Sequence, residues 1–280
     1  MWKSLNLFYL FLILLLATPL FSQGGRDSVN TQSSEYTPPD RVGLLLGYFG
    51  PSFEASVRVN SKTLGLGTFV SLENSFELPS SQDIFRIEAH FRFSKHHSIK
   101  AGYYTSTRDG TSEIEQEIRI GDVVFPIGSI AIADEKFSLL KLIYNYSIIN
   151  SEDIESGVSV GFSLMNYALN AKKELLGIEE EVNVDETLPI PTVGFFTTYH
   201  LWKNFDLLFY LNVFSLKIDI YDGLLTDFAF TAQYKIIDHI RIGLGYNIFR
   251  IDVGVEGSQE FEGRIDYLHK GIAFYALFTF

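Results

Sequence analysis

The sequence predicts an all-β fold, a transmembrane antiparallel up-and-down β-barrel of about ten strands, with eight or twelve as the alternatives. Three observations predict it. In the closing segment Ile272, Phe274, Ala276, Phe278 and Phe280 fall on one side of a strand, and Gly271, Ala273, Tyr275, Leu277 and Thr279 on the other. The chain is 46% hydrophobic and 15% aromatic, with 25 Phe and 15 Tyr, yet past Ser22 no apolar run approaches the length of a spanning helix, about 20 residues. A membrane barrel has to be greasy only at alternate positions of its outer face, so that composition suits it. Finally, short polar turns alternate with longer, more acidic connections along the chain.

The N-terminus reads as a secretory signal. Met1-Trp2-Lys3 is a short cationic start, and Leu7 to Ala17 is unbroken and apolar, too short to span a bilayer. Residues 1–22 are therefore expected to be removed, with cleavage after Ser22. Residues 23–40, rich in Ser, Gly, Thr and Pro, read as a flexible lead-in, and 41–280 as the barrel. The sequence has no cysteine, which removes disulfides, thiolate nucleophiles and thiolate metal sites.

The strands follow in order. Val42–Val59 is the first, with Thr68–Phe76 a short extra piece or a prolongation of the second. In Ile84–Phe93, Phe85, Ile87, Ala89, Phe91 and Phe93 oppose Arg86, Glu88, His90 and Arg92. Ser98–Thr107, Phe137–Ile148, Ile154–Asn170 and Thr192–Leu201 come next. In Phe205–Ile218, Leu207, Phe209, Leu211 and Val213 oppose Asp206, Leu208, Tyr210 and Asn212. In Leu224–Lys235, Phe228, Phe230, Ala232 and Tyr234 oppose Asp227, Ala229, Thr231, Gln233 and Lys235. In Ile240–Val253, Ile240, Ile242, Leu244, Tyr246 and Ile248 oppose Arg241, Gly243, Gly245 and Asn247. Arg264–Phe280 closes the series, with a kink expected at His269-Lys270-Gly271. Short turns fall at Ser94–His97, Asn150–Asp153, Trp202–Asn204 and Ile237–His239. Loops are expected at Asp109–Asp134, Lys172–Pro189, Asp219–Gly223 and Glu256–Glu262.

Several stretches carry a family resemblance: Phe93-Ser-Lys-His-His-Ser-Ile-Lys-Ala-Gly-Tyr-Tyr104, Arg108-Asp-Gly110, Ile120-Gly-Asp-Val-Val-Phe125, Leu216-Lys-Ile-Asp219, Gly243-Leu-Gly-Tyr-Asn247 and the closing strand. Over roughly residues 41–280 the chain resembles uncharacterised outer-membrane β-barrel proteins of Gram-negative bacteria, like the small OmpA and OmpW barrels in general architecture. The resemblance implies an integral place in the outer membrane, with its lipid as partner. It also implies that Gly271, Phe274, Phe278 and Phe280 form the insertion signal met by periplasmic chaperones and the barrel-assembly machinery. It implies no activity, cofactor or catalytic residue.

Charge and side-chain chemistry bound the function. A net charge of −12 and a pI near 4.9 argue against nucleic acid, because phosphate binding needs clustered Lys and Arg. The inward row Arg86, Glu88, His90 and Arg92, with Lys100 and Lys141, reads as an ion-paired filling of a narrow barrel or as the lining of a conducting pore. For a protease, Asp238-His239 is the adjacent Asp-His pair, and Asp266 with His269 lies nearer the outer face. For a lipid hydrolase, Ser94, His96 and His97 cluster in a turn, where polar residues are ordinary. His96-His97 and the run Glu179–Glu186 lack the geometry of a metal site, and Gly243-Leu-Gly245 sits mid-strand rather than in a nucleotide loop. The expectation is a non-enzymatic interaction or envelope role carried by acidic outer loops. The alternative is a narrow channel for small solutes; a lipid-modifying enzyme or protease stands behind both.

Overall fold

The structure, a computed structural model, describes residues 41–61, 65–175, 178–218, 221–256 and 262–280. The expected signal peptide and lead-in, residues 1–40, lie outside the described residues. Ten long antiparallel strands form the wall: β1 (Val42–Val59), β3 (Ile84–Arg92), β4 (His97–Glu113), β7 (Ile130–Asn150), β8 (Ile154–Leu175), β9 (Ile178–Trp202), β10 (Phe205–Ile218), β11 (Tyr221–Ile237), β12 (Ile240–Val255) and β13 (Gly263–Thr279). Each pairs with its neighbours in that order, and β13 pairs with β1 from Gly43↔Thr279 to Val59↔Gly263, so the sheet has no free end. Four tight turns gather at one end, here the near end. The connections at the far end hold β2 (Val70–Ser71), the single turn α1 (Leu72–Ser75) and the hairpin β5 (Ile118–Ile120)–β6 (Val123–Phe125).

Alternation sets the two faces, and the two faces exchange character part-way along the barrel. In the near half the outward residues are apolar: Leu140, Leu142, Tyr146 and Ile148 on β7, Phe230, Tyr234 and Ile236 on β11, Ile272 and Phe274 on β13 with Phe280 just past its end, all exposed. Their inward neighbours are polar, among them Asn145, Ser147, Asp227, Thr231, Gln233 and Thr279, all buried. In the far half the sense reverses. Asp134 and Lys136 on β7 face out, while Ala131, Ala133 and Phe137 are buried; on β8 Met165, Tyr167, Leu169 and Ala171 are buried. The apolar outer band on β12 runs from Ile240 to Ile248 before Arg250 follows on the same face. That length matches the roughly 9–11 residues a strand needs to cross hydrocarbon. Hydrocarbon therefore wraps the near half, and water wraps a far half that carries its own apolar core.

This reversal corrects the expected loops. Asp109–Asp134 and Lys172–Pro189 are largely strand: β4 and β7 pair out to Glu113↔Ile130, and β8 and β9 out to Leu175↔Ile178. The period of two continues there, but with polar residues outside, because the medium is water. From Asn166 to Leu175 the hairpin adds roughly 30 Å at about 3.3 Å per residue. The kink expected at His269-Lys270-Gly271 does not interrupt pairing, since β13 keeps one register against both β1 and β12. Thr68–Phe76 is only in part a strand: two residues bridge β1 at Ser56↔Ser71 and Val57↔Val70, and Ser71 then caps α1 through its Oγ and the Asn74 N–H.

Two gaps in the far wall follow from sequence. β3 is half the length of its neighbours, so above Ile84 nothing among the described residues pairs strand-wise between β1 and β4 except β2 and the Ser52↔Ser81 bridge. The 72–81 segment fills that gap. The second gap lies between β9 and β10, whose pairing stops at Val213↔Val193 although both strands run on. Pro189 and Pro191 sit there. They have no N–H to donate, so they are compatible with a strand paired on one side only.

Candidate functional site

The lumen is where the polar residues converge, so it is the candidate site, and it is filled in three levels. At the near end Arg92 Nη2 on β3 makes a two-oxygen contact with Glu155 on β8 (2.9 and 2.8 Å), and Ser147 Oγ donates to the same carboxylate. His200 Nδ1 and Arg241 Nη1 share the Asp206 carboxylate, at 2.7 and 2.9 Å. Higher up, Arg86 pairs with Glu88 on its own strand. Lys141 Nζ on β7 meets Asp227 Oδ2 on β11 at 2.6 Å. Since β7 and β11 are not neighbours in the wall, that ion pair crosses the lumen.

An aromatic level follows. Phe137 on β7 stacks on Tyr267 on β13 with centroids 4.4 Å apart and an interplanar angle of 7°. His269 lies against Phe249 (5.0 Å) and bonds through Nε2 to Tyr104 Oη (3.0 Å). Phe249 and His269 are cross-strand neighbours on β12 and β13, whereas Phe137–Tyr267 and Tyr104–His269 join strands that are not adjacent, so those rings meet across the interior.

Above them stands a buried charge cluster that the sequence reading missed. Arg108 is 1% exposed and Glu135 1%. Arg108 Nε donates to Glu135 Oε2 at 2.6 Å, and its Nη1 to Glu73 Oε1 on α1 (2.6 Å) and to the Pro79 carbonyl (3.0 Å). Glu73 also accepts the Ala55 N–H of β1, at 3.0 Å. One carboxylate thus ties the insert to both edges of the wall gap. The guanidinium lies 4.5 Å over the Phe53 ring. A Cβ on Gly110 would come within 2.2 Å of the Phe76 carbonyl, which is why β4 carries glycine where the insert presses against it. The signal was present in the sequence: Arg108 and Glu135 keep inward parity on strands whose other inward far-half residues are small or apolar.

The far mouth is covered. Phe76 and Phe125 pack edge to face at 5.9 Å. The β5–β6 turn reaches the top of β1, where Gly121 N donates to the Val59 carbonyl (3.0 Å) and Asp122 accepts from Ser61 Oγ (2.5 Å). From the other side of the ring, Lys173 Nζ on β8 donates to the Val124 carbonyl at 2.7 Å. The hairpin therefore spans the opening.

The sequence candidates now have places. Arg86, Glu88, His90, Arg92, Lys100 and Lys141 are half-buried on inward positions, opposite exposed Phe85, Ile87 and Phe91 on β3. Phe274 is exposed on the outer face of β13 and Phe280 just past its end, Phe278 is half-buried between them, and Gly271 lies on the opposite, inner row. Asp266 and His269 differ in parity, so they point to opposite faces, and Asp266 pairs with Arg250 instead. Asp238 pairs with Lys235 in the near-end turn, where His239 Nδ1 meets the Thr279 carbonyl. His96 and His97 are each engaged by β7, through the Ser147 carbonyl (2.7 Å) and Tyr144 Oη (2.5 Å). In the acidic run, alternation sends Glu179, Glu181 and Asp185 to one face and Glu180 and Glu186 to the other. Gly243 makes room for Tyr275, whose ring a Cβ there would meet at 2.1 Å.

No family model and no curated protein sequence matches this chain. Solved structures do. The outer membrane protease OmpT of Escherichia coli is similar at 12% identity, with 89% of this chain and 100% of that one covered and a TM-score of 0.55. The chain has the fold of an outer-membrane β-barrel. The translocator domain of the autotransporter NalP of Neisseria meningitidis shares 11% identity over 86% of this chain and 89% of that one, with a TM-score of 0.46. Ail, the attachment invasion locus protein of Yersinia pestis, shares 10% over 85% and 98%, with a TM-score of 0.31. At such identities the likeness concerns the fold, and the first of these carries it.

Proposed function

We propose that this chain is a sealed, non-enzymatic outer-membrane barrel that holds a rigid acidic crown outside the membrane for interaction at the cell surface. The observation that carries this reading is the β5–β6 hairpin, bound to β1 and β8 over a packed core. Below it, the inward charges are largely spent on one another: Arg86 with Glu88, Arg92 with Glu155, Lys141 with Asp227. A pore lined by fixed charge would need those groups turned toward water. An outer-rim protease of the Asp–His kind has little to draw on, because His90, His96, His97, His200 and His239 lie in the near half and His269 is buried among rings. Short turns facing the periplasm and long elements facing outward are the rule for such barrels, which puts the far half outside the cell.

The test is electrical. Purified, folded protein added to planar lipid bilayers is expected to leave the membrane resistance unchanged. Discrete, reproducible conductance steps at neutral pH would replace this reading with the channel.

A further inference from the structure

Among the described residues, the second wall gap leaves a long edge of β9, and a shorter one of β10 past Val213, without a partner outside the membrane. β8 and β9 keep one register from Ile178 to Tyr199. Pro189 and Pro191 lie within that register and cannot donate to β8. In an antiparallel ladder alternate residues turn their N–H and C=O to alternate neighbours, so every odd-numbered residue of β9 turns them away from β8. Below Val193 these groups meet β10; above it, among the described residues, β9 pairs with β8 alone. Glu179, Glu181, Asn183, Asp185 and Thr187 therefore direct their backbone groups sideways into the gap along an open edge, in the water-facing half.

We propose that this edge of β9 is a strand-addition site for an extended, cationic segment of another polypeptide. An open edge is a template for a further strand, and its own side chains select which one. Glu179, Glu181 and Asp185 stand exposed on one face at alternate positions. A strand laid beside them would set its own alternate side chains against that row, where opposite charges are favourable and like charges are not. Pairing of two copies through this edge would bring acidic rows together, so the edge disfavours self-association. The prolines end the site on the membrane side, since no N–H is offered at Pro189 or Pro191. This partner rests on the reading of the far half as an interaction platform.

The probe is a fluorescent peptide of about twelve residues, enough to cover the open stretch, alternating lysine with threonine. Three companions go with it: a glutamate-for-lysine peptide, a copy N-methylated at every second backbone nitrogen, and the barrel variant Asn183→Pro. The full mature chain, folded in detergent micelles, is expected to bind the lysine peptide and to ignore the glutamate one. N-methylation keeps the charge but removes alternate donors, so it is expected to weaken binding at least about tenfold. Asn183→Pro keeps the acidic row and removes one edge N–H, in the manner of Pro189, with a similar loss; an unchanged boiling-dependent gel shift reports that the variant is folded. Should that variant fail to fold, the N-methylated peptide on the unaltered chain still decides the matter. No binding of the lysine peptide, or equal binding of its N-methylated copy, overturns the proposal. The conductance result is independent: a silent bilayer with no peptide binding removes this site and leaves the sealed barrel standing.

Discussion

Arg108 has the most exacting surroundings in the molecule. Taking a guanidinium out of water costs several kcal/mol, and the cost is offset only when its donors are met. Here two carboxylates and a carbonyl meet Nε and Nη1, Nη2 lies in ion-pair contact with Glu135 at 2.5 Å, and the Glu73 carboxylate also satisfies a backbone N–H of β1. Arg108→Ala would leave Glu73 and Glu135 sharing a dry site without their cation. That change is expected to cost roughly 3–5 kcal/mol in urea unfolding of the detergent-folded protein. Lys172→Ala, which removes a solvent-exposed pair with Glu181 at 3.7 Å, should cost less than about 1 kcal/mol. Equal losses from the two would mean that the insert is not held by this cluster. Lys141 and Asp227 make the same point in the membrane level, where the partners come from strands far apart in sequence. Such pairs are invisible to a linear reading because barrel closure, not spacing, brings them together.

Among the elements, each strand records where hydrocarbon ends. On β12 the outward row Ile240, Ile242, Leu244, Tyr246 and Ile248 gives way to Arg250 and Asp252. A charge in the middle of that row has nowhere to be solvated. Leu244, 57% exposed to what is lipid in the cell, is the site to test. Leu244→Arg is expected to lower stability by about 2–4 kcal/mol in liposomes, whereas Asn166→Arg, outward on β8 beyond the band with the uncharged Ser138 and Thr187 across from it, should be close to neutral. Equal effects would mean that hydrocarbon does not end where the pattern changes. The greasy outer row was legible from sequence, so the strands β3, β10, β11, β12 and β13 were found nearly in place. Their continuation was not legible in β4, β7, β8 and β9, because past the bilayer the outer row becomes polar and the apolar signal moves to the inner face. Ala131, Ala133 and Val184 carry it there, and against a polar outer row they read as parts of a loop. Pro189 and Pro191 added to that misreading, since proline looks like an interruption until one side of the strand is known to be unpaired.

For the molecule as a whole, the two halves answer to different solvents. The near half is built as membrane barrels are, greasy outside and polar within; the far half is built as a water-soluble barrel, with a core, an insert and a lid. Acidic residues gather in that far half, along β9 and in the β4–β5 connection, which accounts for the low pI without invoking a charged pore. This division fixes what a protease can reach from outside an intact cell. Glu115 and Glu117 lie exposed in the connection between β4 and β5, beyond the band of hydrocarbon. Lys95 and Lys203 sit in tight turns at the opposite end. A glutamate-specific protease applied to intact cells is expected to cut after Glu115 or Glu117 and to leave the fragments associated, since β4 and β7 stay paired on both sides of the cut. Trypsin is expected to spare Lys95 and Lys203 until the outer membrane is opened. Cleavage at either lysine in sealed cells would turn the barrel over, place the acidic crown in the periplasm, and move every surface role argued for it to the other side of the membrane.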